Sequence, residues 1–420
     1  MTTTHCVSAK RTDRDRKDAT CVRVVQLISD ARSWQFFDGQ PEFFRAHGIE
    51  IHAVSSPGPT QEEFGRLNDI PVYSVPIERR LSLFSDLVSV WRLFKILRRL
   101  RPDILYTHFS KPGIIGMVAG TMARTPIRIY HNHGMALSSA RGWKWVVLWS
   151  VEKLSCLLAH RVIYVAPSVL ADAERLGVCG TGKGCVILSA NGLDCTNRFT
   201  RRLYGAEYRD RWRASLQIPE NAFVVGFVGR IFKIKGIDDL IRAWQLLSPQ
   251  EPRLHLLLAG EFDARLPISP WARRTISSET RIHLTGFVEE IASVYPAMDV
   301  LALPSYHEGL SYCLLEGAAM ELPVIATRII GTIDAVLEGT SGLLVEPGHP
   351  DQLAEAILKY LHDPSLAAAH GKAGREFVVR RFQRSTVWES ILQTYDQLLF
   401  DRLLIRRASA DHSVSRNGAE

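Results

Sequence analysis

Two glutamates, Glu308 and Glu316, flank a glycine in the stretch Pro304-Ser305-Tyr306-His307-Glu308-Gly309-Leu310-Ser311-Tyr312-Cys313-Leu314-Leu315-Glu316-Gly317. An ionised carboxylate only accepts hydrogen bonds, so the pair suits donors such as sugar and ribose hydroxyls. The apolar run 300–303 before it reads as a buried parallel strand, and 312–320 after it as a helix stopped by Glu321-Leu322-Pro323. The loop therefore joins a strand's carboxyl end to a helix's amino end, where free N–H groups and the helix dipole favour an anion. Gly309 allows close backbone approach, and Ser311 is placed to cap the helix. The plainer alternative is a capped surface helix with two solvated glutamates. Two carboxylates around one glycine favour a site over that reading.

A second basic loop points to the same chemistry. Gly229-Arg230 closes the strand 223–228, and Lys233 and Lys235-Gly236 follow before the next helix. Cations at a strand end, beside a glycine that bares backbone N–H groups, suit a diphosphate. In the first half, His131 and His133 follow the strand 127–130 and precede Gly134. Neutral imidazole both donates and accepts, so this pair suits a sugar contact. His108, also at a strand end, reads as structural. Gly177-Val178-Cys179-Gly180-Thr181-Gly182-Lys183-Gly184 nearly spells a phosphate loop, but Gly184 replaces the magnesium-binding hydroxyl and the order is helix–loop–strand. Asp13-Arg14-Asp15 lies in a polar tail, and no other His/Asp/Glu cluster shows ligand spacing, so no metal is expected.

The elements that must position these residues alternate between strand and helix. Strands are predicted at 22–28, 49–54, 71–75, 103–108, 127–130, 161–165 and 185–188, with helices at 34–47, 81–100, 112–124, 143–159 and 168–176. A polar, Arg-rich segment, 198–213, separates this half from a second series. That series has strands at 223–228, 254–258, 282–284, 300–303, 324–326 and 342–345 and helices at 237–247, 289–295, 351–361, 364–382 and 386–404. The alternation specifies α/β architecture: two doubly wound parallel-sheet domains facing across a cleft. The expected division is a disordered tail over 1–21, an acceptor-side domain over 22–205 and a donor-side domain over 206–384. A helix over 385–405 packs back on the first domain, and a second disordered tail spans 406–420.

Composition narrows the function. A chain of 420 residues, 46% hydrophobic and 23% charged, suits two globular cores. A net charge of +7 with pI near 9.1 admits an anionic partner, a nucleotide or an acidic membrane surface, while no helix-turn-helix or metal finger supports nucleic acid. Seven cysteines without short pairing fit a reducing compartment. No secretory signal or spanning segment is apparent, which places the chain in the cytoplasm or peripherally on the inner membrane face. Two stretches could lie on lipid: helix 81–100, with basic residues around an apolar stripe, and Trp143, Trp145 and Trp149 with Val146, Val147 and Leu148. Packing of both against a sheet is the competing reading.

Taken together, the residues resemble the retaining glycosyltransferases of family 4, of GT-B architecture, from about Val22 to Leu404. Glu308 and Glu316 match the family's E-x-seven-E motif. Gly229-Arg230 with Lys235-Gly236, Thr285-Gly286-Phe287-Val288, His133-Gly134, Asn191-Gly192-x-Asp194 and Gly342-Leu343-Leu344-Val345 fall in its order. The resemblance implies Rossmann-like domains and a metal-independent reaction moving a hexosyl- or N-acetylhexosaminyl-type sugar. The donor is a nucleotide diphosphate sugar, without a further cofactor, and the acceptor a lipid-linked glycan of bacterial surface-polysaccharide synthesis. It implies that Arg230 and Lys235 hold the diphosphate with the amides of Gly309, Leu310 and Ser311. Glu308 would bind the donor sugar, Glu316 the ribose, Val288 the base, and His133 the sugar from the opposite domain. Ser29-Asp30-Ala31-Arg32-Ser33 departs from the Gly-Gly loop of many relatives, which puts its phosphate and acceptor contacts in question. A nucleotide-sugar epimerase of the same architecture, or a non-catalytic nucleotide- or glycan-binding partner, remain alternatives.

Overall fold

The computed structural model describes residues 21–78, 82–135, 137 and 140–417, with side chains set aside at 83 and beyond 404. The proposed tail 1–20, with Asp13 and Asp15, lies outside the described residues. The first half runs β1 (Val22–Leu27), α1 (Gln40–Ala46), β2 (Ile49–Ser55), α2 (Pro59–Asn68), β3 (Val72–Ser74), α3 (Leu83–Leu100), β4 (Ile104–His108) and α4 (Ser110–Met122). It continues through β5 (Ile127–Asn132), α5 (Trp143–Leu158), β6 (Arg161–Tyr164), α6 (Pro167–Arg175) and β7 (Gly184–Val186). The inner strands are rich in Val, Ile and Leu and largely buried, as a parallel sheet covered by helices requires, while the edge strands β3 and β7 are only partly buried. All pair in parallel, in the order β3-β2-β1-β4-β5-β6-β7.

The second half begins with α7 (Ala206–Ser215), β8 (Phe223–Val228), α8 (Ile237–Leu247), β9 (Leu254–Ala259), α9 (Pro270–Ser278), β10 (Ile282–Gly286) and β11 (Val300–Leu303). It ends with α10 (Tyr312–Ala319), β12 (Val324–Thr327), α11 (Thr332–Ala335), β13 (Gly342–Val345), α12 (Pro350–His362), α13 (Pro364–Phe382) and α14 (Arg384–Asn417). Its six strands order as β10-β9-β8-β11-β12-β13. Each sheet reverses direction once, between β1 and β4 and between β8 and β11, and ligands of such sheets bind outside the carboxyl ends at that switch. The two-sheet α/β architecture stands as expected.

Several local expectations are corrected. The helix read at 34–47 is a 3-10 segment, Ala31–Phe37, followed by α1; Gly39 at φ +77° separates them. Helices α2 and α9 occupy segments to which no element is assigned from the sequence, each with Pro in its first turn. Segment 198–213 runs into α7, whose Arg209 and Arg213 bind Asp299, each at 2.8 Å, as the donor-side domain expected from residue 206 requires. The helix expected at 289–295 is two 3-10 turns, Ile291–Ser293 and Tyr295–Ala297. α14 runs on to Asn417, past the end expected at 405.

α14 lays Val387, Trp388, Ile391 and Tyr395 onto the first sheet's core beside Phe44 and Ile51. Where the chain crosses back from α13, it runs alongside the outgoing crossing: Leu193 N–H donates to Phe382 O at 2.6 Å and Arg384 N–H to Leu193 O at 3.2 Å. Both connections between the halves thus lie side by side, the geometry of a hinge.

Candidate active site

The Glu308 loop and the Lys235 loop meet because β8 and β11 are neighbours in the second sheet. Tyr306 N–H donates to Ile234 O at 2.8 Å, pinning the two loops together. Lys235 Nζ then lies 2.5 Å from Glu308 Oε1, with the side chains only 19% and 10% exposed. A cation and a carboxylate are thereby fixed at one spot on the sheet's carboxyl edge.

Gly309 comes next, and the first half closes directly on it. A methyl group placed on Gly309 would sit 1.8 Å from His133 O, and one on Gly134, at φ +124°, would sit 2.7 Å from Gly309 Cα. The His133-Gly134 turn and the Glu308-Gly309 loop, from opposite sheets, are in backbone contact. Two further contacts bridge the cleft. Tyr312 OH meets Ser189 Oγ at 2.5 Å and accepts from Ala190 N–H at 3.2 Å. Ser168 Oγ donates to Asp334 and accepts from Gly331 N–H at 2.9 Å.

Ser311 occupies the N-cap position of α10 but caps nothing; its Oγ lies 3.2 Å from Cys313 Sγ. That corrects the capping role expected from sequence. The first-turn amides of α10 are left without a side-chain partner, and such a terminus favours an anion. Leu310, 8% exposed, anchors the loop in the core.

Glu316, about one turn along α10, accepts from Tyr295 OH at 2.5 Å. Burial raises its carboxyl pKa, while the Tyr295 hydrogen bond and Arg198 oppose the rise. Arg198 pairs with Glu290 at 3.1 Å, and Val288 packs half-buried in the same corner. Tyr295 and Arg198 were not singled out in the sequence, because neither falls in a recognisable motif.

Arg230 follows Gly229, which has φ +139°, and stacks over Phe232 at 4.9 Å. It is 58% exposed and bonded to Asp263 Oδ2 at 2.6 Å, so it does not join the Lys235–Glu308 pair directly. Asp263 also binds Arg265, whose guanidinium and hydrogen bonds hold its carboxyl well below the usual range. Arg32 of the first half pairs with Asp30 at 3.0 Å, which raises its pKa.

His133 stacks against Phe109 at 4.0 Å, and its Nε2 lies 3.1 Å from His108 Nδ1. His131 Nδ1 meets Tyr106 OH at 2.6 Å. Burial drives all three imidazoles toward the neutral form, His133 down to about 3. Sequence spacing gave no hint of a ligand cluster, yet a nitrogen from each of His108, His131 and His133 falls within 4.8 Å of the others, a group able to hold a metal ion. His108, fully buried, touches His133 directly. Residues 29–32, residues 56–60 and Ile77 line a cavity of about 420 Å³ at the ends of β1 and β2.

The chain is similar to known proteins in both sequence and fold. Residues 222–363 match the family model described as glycosyl transferases group 1, and residues 42–187 that of a glycosyl transferase 4-like domain. The capsular polysaccharide biosynthesis glycosyltransferase CapM of Staphylococcus aureus is 30% identical over 385 residues, spanning 90% of this chain and 97% of CapM. The UDP-Gal:alpha-D-GlcNAc-diphosphoundecaprenol alpha-1,3-galactosyltransferase of Escherichia coli is 24% identical over 322 residues, 73% of this chain and 80% of its own. Anabaena HepE in complex with UDP-glucose matches the fold at a TM-score of 0.73 and 21% identity, over 89% of this chain and 99% of HepE. With one relative matched along nearly its whole length and both halves matched by family models, the chain belongs to the group 1 glycosyltransferases and has their GT-B fold.

Proposed function

We propose that this glycosyltransferase moves a sugar, with retention, from a nucleotide diphosphate sugar to a hydroxyl of a lipid-diphosphate-linked glycan in surface-polysaccharide synthesis. The observation that carries the reading is the Lys235–Glu308 pair at 2.5 Å, set beside the uncapped amino end of α10 and against the His133-Gly134 turn. A diphosphate at that helix end competes with Glu308 for Lys235, freeing the carboxylate to accept from sugar hydroxyls. Arg230 adds a second cation for the charge that grows on the leaving diphosphate. Glu316, aligned by Tyr295, accepts from the ribose, and Val288 borders the base. Neutral His133 donates to the sugar from the opposite half.

In this reading the departing phosphate oxygen takes the acceptor's proton on the face it leaves, while the hinge beside Leu193 and Phe382 keeps water out. The acceptor enters through the cavity at Ser29–Arg32. The cations Lys235 and Arg230 make the reaction independent of a bound metal. Their relatives' substrates favour a UDP-sugar and a polyprenyl-diphosphate glycan as first trials. The test is release of nucleoside diphosphate after dialysis against EDTA, with donor alone and with donor plus acceptor. Acceptor-dependent release and an α-linked product from an α-linked donor support the proposal. Conversion of donor alone into an epimeric nucleotide sugar identifies an epimerase, and unchanged donor with no release identifies a binding protein.

A further inference from the structure

One face of the first half carries a surface that this chemistry does not use. Helices α3, α4 and α5 lie side by side on it, α4 packing between the other two. α4 is drawn close to the sheet by Gly113, Gly116 and Gly120, where an added methyl group would meet Tyr130, Thr107 and Leu105 at 2.5, 2.3 and 2.6 Å. α3 and α5 flank it as two ridges.

α3 buries Leu93 and Leu97 against the sheet, which satisfies the packing role read from its sequence. A second apolar stripe on the same helix faces solvent: Phe84 is 81% exposed, Leu87 67% and Trp91 51%. α5 repeats the pattern with Trp143 at 71%, Val146 at 55% and Leu157 at 66%. Large apolar side chains at this exposure, in two parallel rows, exceed the scattered ones of an ordinary surface. Basic side chains accompany them: Arg92, Lys95, Arg98 and Arg99 on α3, Arg124 after α4 and Lys144 on α5 are all exposed. The two acidic residues of these helices are withdrawn. Asp86 is paired with Lys111 at 2.8 Å, and Glu152 is buried, accepting from Tyr130 OH at 2.8 Å.

We infer that this face docks on an anionic phospholipid bilayer. Aromatic and aliphatic side chains would enter the headgroup boundary while the Lys and Arg heads meet lipid phosphates. A protein partner with one apolar groove fits less well, because two separate ridges with interleaved cations suit a flat, negative and deformable surface. No helix among the described residues is long and apolar enough to span a membrane. The amino ends of α3, α4 and α5 follow the carboxyl ends of β3, β4 and β5, the edge that carries His133. The docked face therefore holds the cleft's mouth near the lipid surface. Docking does not depend on the donor or the stereochemistry proposed above.

The experiment is flotation of the full chain with vesicles of phosphatidylglycerol and phosphatidylcholine in equal parts, against phosphatidylcholine alone, at low and high salt. The wild type should float with the anionic vesicles at least tenfold more than with the neutral ones, and salt should weaken binding. Trp91→Ser with Trp143→Ser, and separately Lys95→Glu with Arg98→Glu, should each lower binding at least tenfold. Their melting temperatures should match wild type, since these side chains are exposed. Equal flotation with both vesicles, or wild-type flotation by both variants, overturns the proposal. So does sedimentation as a dimer that the tryptophan variant abolishes, which would assign the face to a second copy of the chain.

Discussion

Lys235 Nζ and Glu308 Oε1, 73 residues apart in the chain, are 2.5 Å apart in space, in a pocket that leaves each side chain at most 19% exposed. Glu308→Gln should lower kcat by roughly 10²–10³-fold, the usual cost of losing one preorganised polar group at a reacting centre. Lys235→Met should be as inactive and also destabilise the fold by roughly 1–3 kcal/mol, because the remaining carboxylate stays in the pocket without its partner. The double variant should regain much of that stability and none of the activity. Urea melts and turnover of the three variants check this. Equal stability of Lys235→Met and the double variant would refute the coupling.

Gly309 is where the halves touch, and Gly309→Ala tests that contact without altering charge. The added methyl group cannot coexist with His133 O 1.8 Å away, so the loop or the opposite turn must retreat. Turnover should fall by roughly 10²-fold, as expected when a site is displaced by about an ångström. Small-angle scattering should show a larger radius of gyration at unchanged secondary structure. A variant with normal turnover and unchanged dimensions would show that the halves need not meet here.

What the sequence made readable follows from locality. Strand–helix alternation, the Glu308–Glu316 spacing and the Gly229-Arg230 loop are local patterns, and one sheet carries both loops to the same edge. The break at Gly39 was not readable because the apolar residues on both sides still suit a helix. Tyr295, Asp263 and the His108–His133 contact depend on which strands are neighbours, and no spacing encodes that. Arg230 was correctly placed at a strand end, yet its pairing with Asp263, on the following β9–α9 loop, appears only in three dimensions. For helix 81–100 the sequence leaves lipid contact and sheet packing as competing readings, and only the helix's orientation shows Leu93 and Leu97 against the sheet with Phe84, Leu87 and Trp91 facing solvent.

Tyr295→Phe removes the hydrogen bond that opposes the burial-driven rise of the Glu316 carboxyl. Glu316 should then protonate at higher pH and bind ribose hydroxyls less well. The donor KM should rise by roughly tenfold, the worth of one hydrogen bond to a charged group, with kcat nearly unchanged. The acid limb of the kcat/KM profile should move toward neutral pH. A fall in kcat at constant KM would instead place Tyr295 in the chemical step.

Acid stability should report on the buried histidines beside the cleft. His108, His131 and His133 are held neutral by burial, and His133 has its pKa lowered from about 6.5 to about 3. Between those values the unfolded chain binds a proton that the folded chain does not, so stability falls as pH falls through that window. For His133 the loss is roughly 1.4 kcal/mol per pH unit, about 2 kcal/mol by pH 5, and His108 and His131 act in the same direction. Replacing His108 with Gln removes one of these groups and keeps a side chain able to bond His133 Nε2. Its unfolding free energy should therefore decline less steeply than wild type between pH 6.5 and pH 4, measured by urea titration at each pH. Parallel pH profiles for the two proteins would mean that His108 is protonated in the folded state, contrary to its burial.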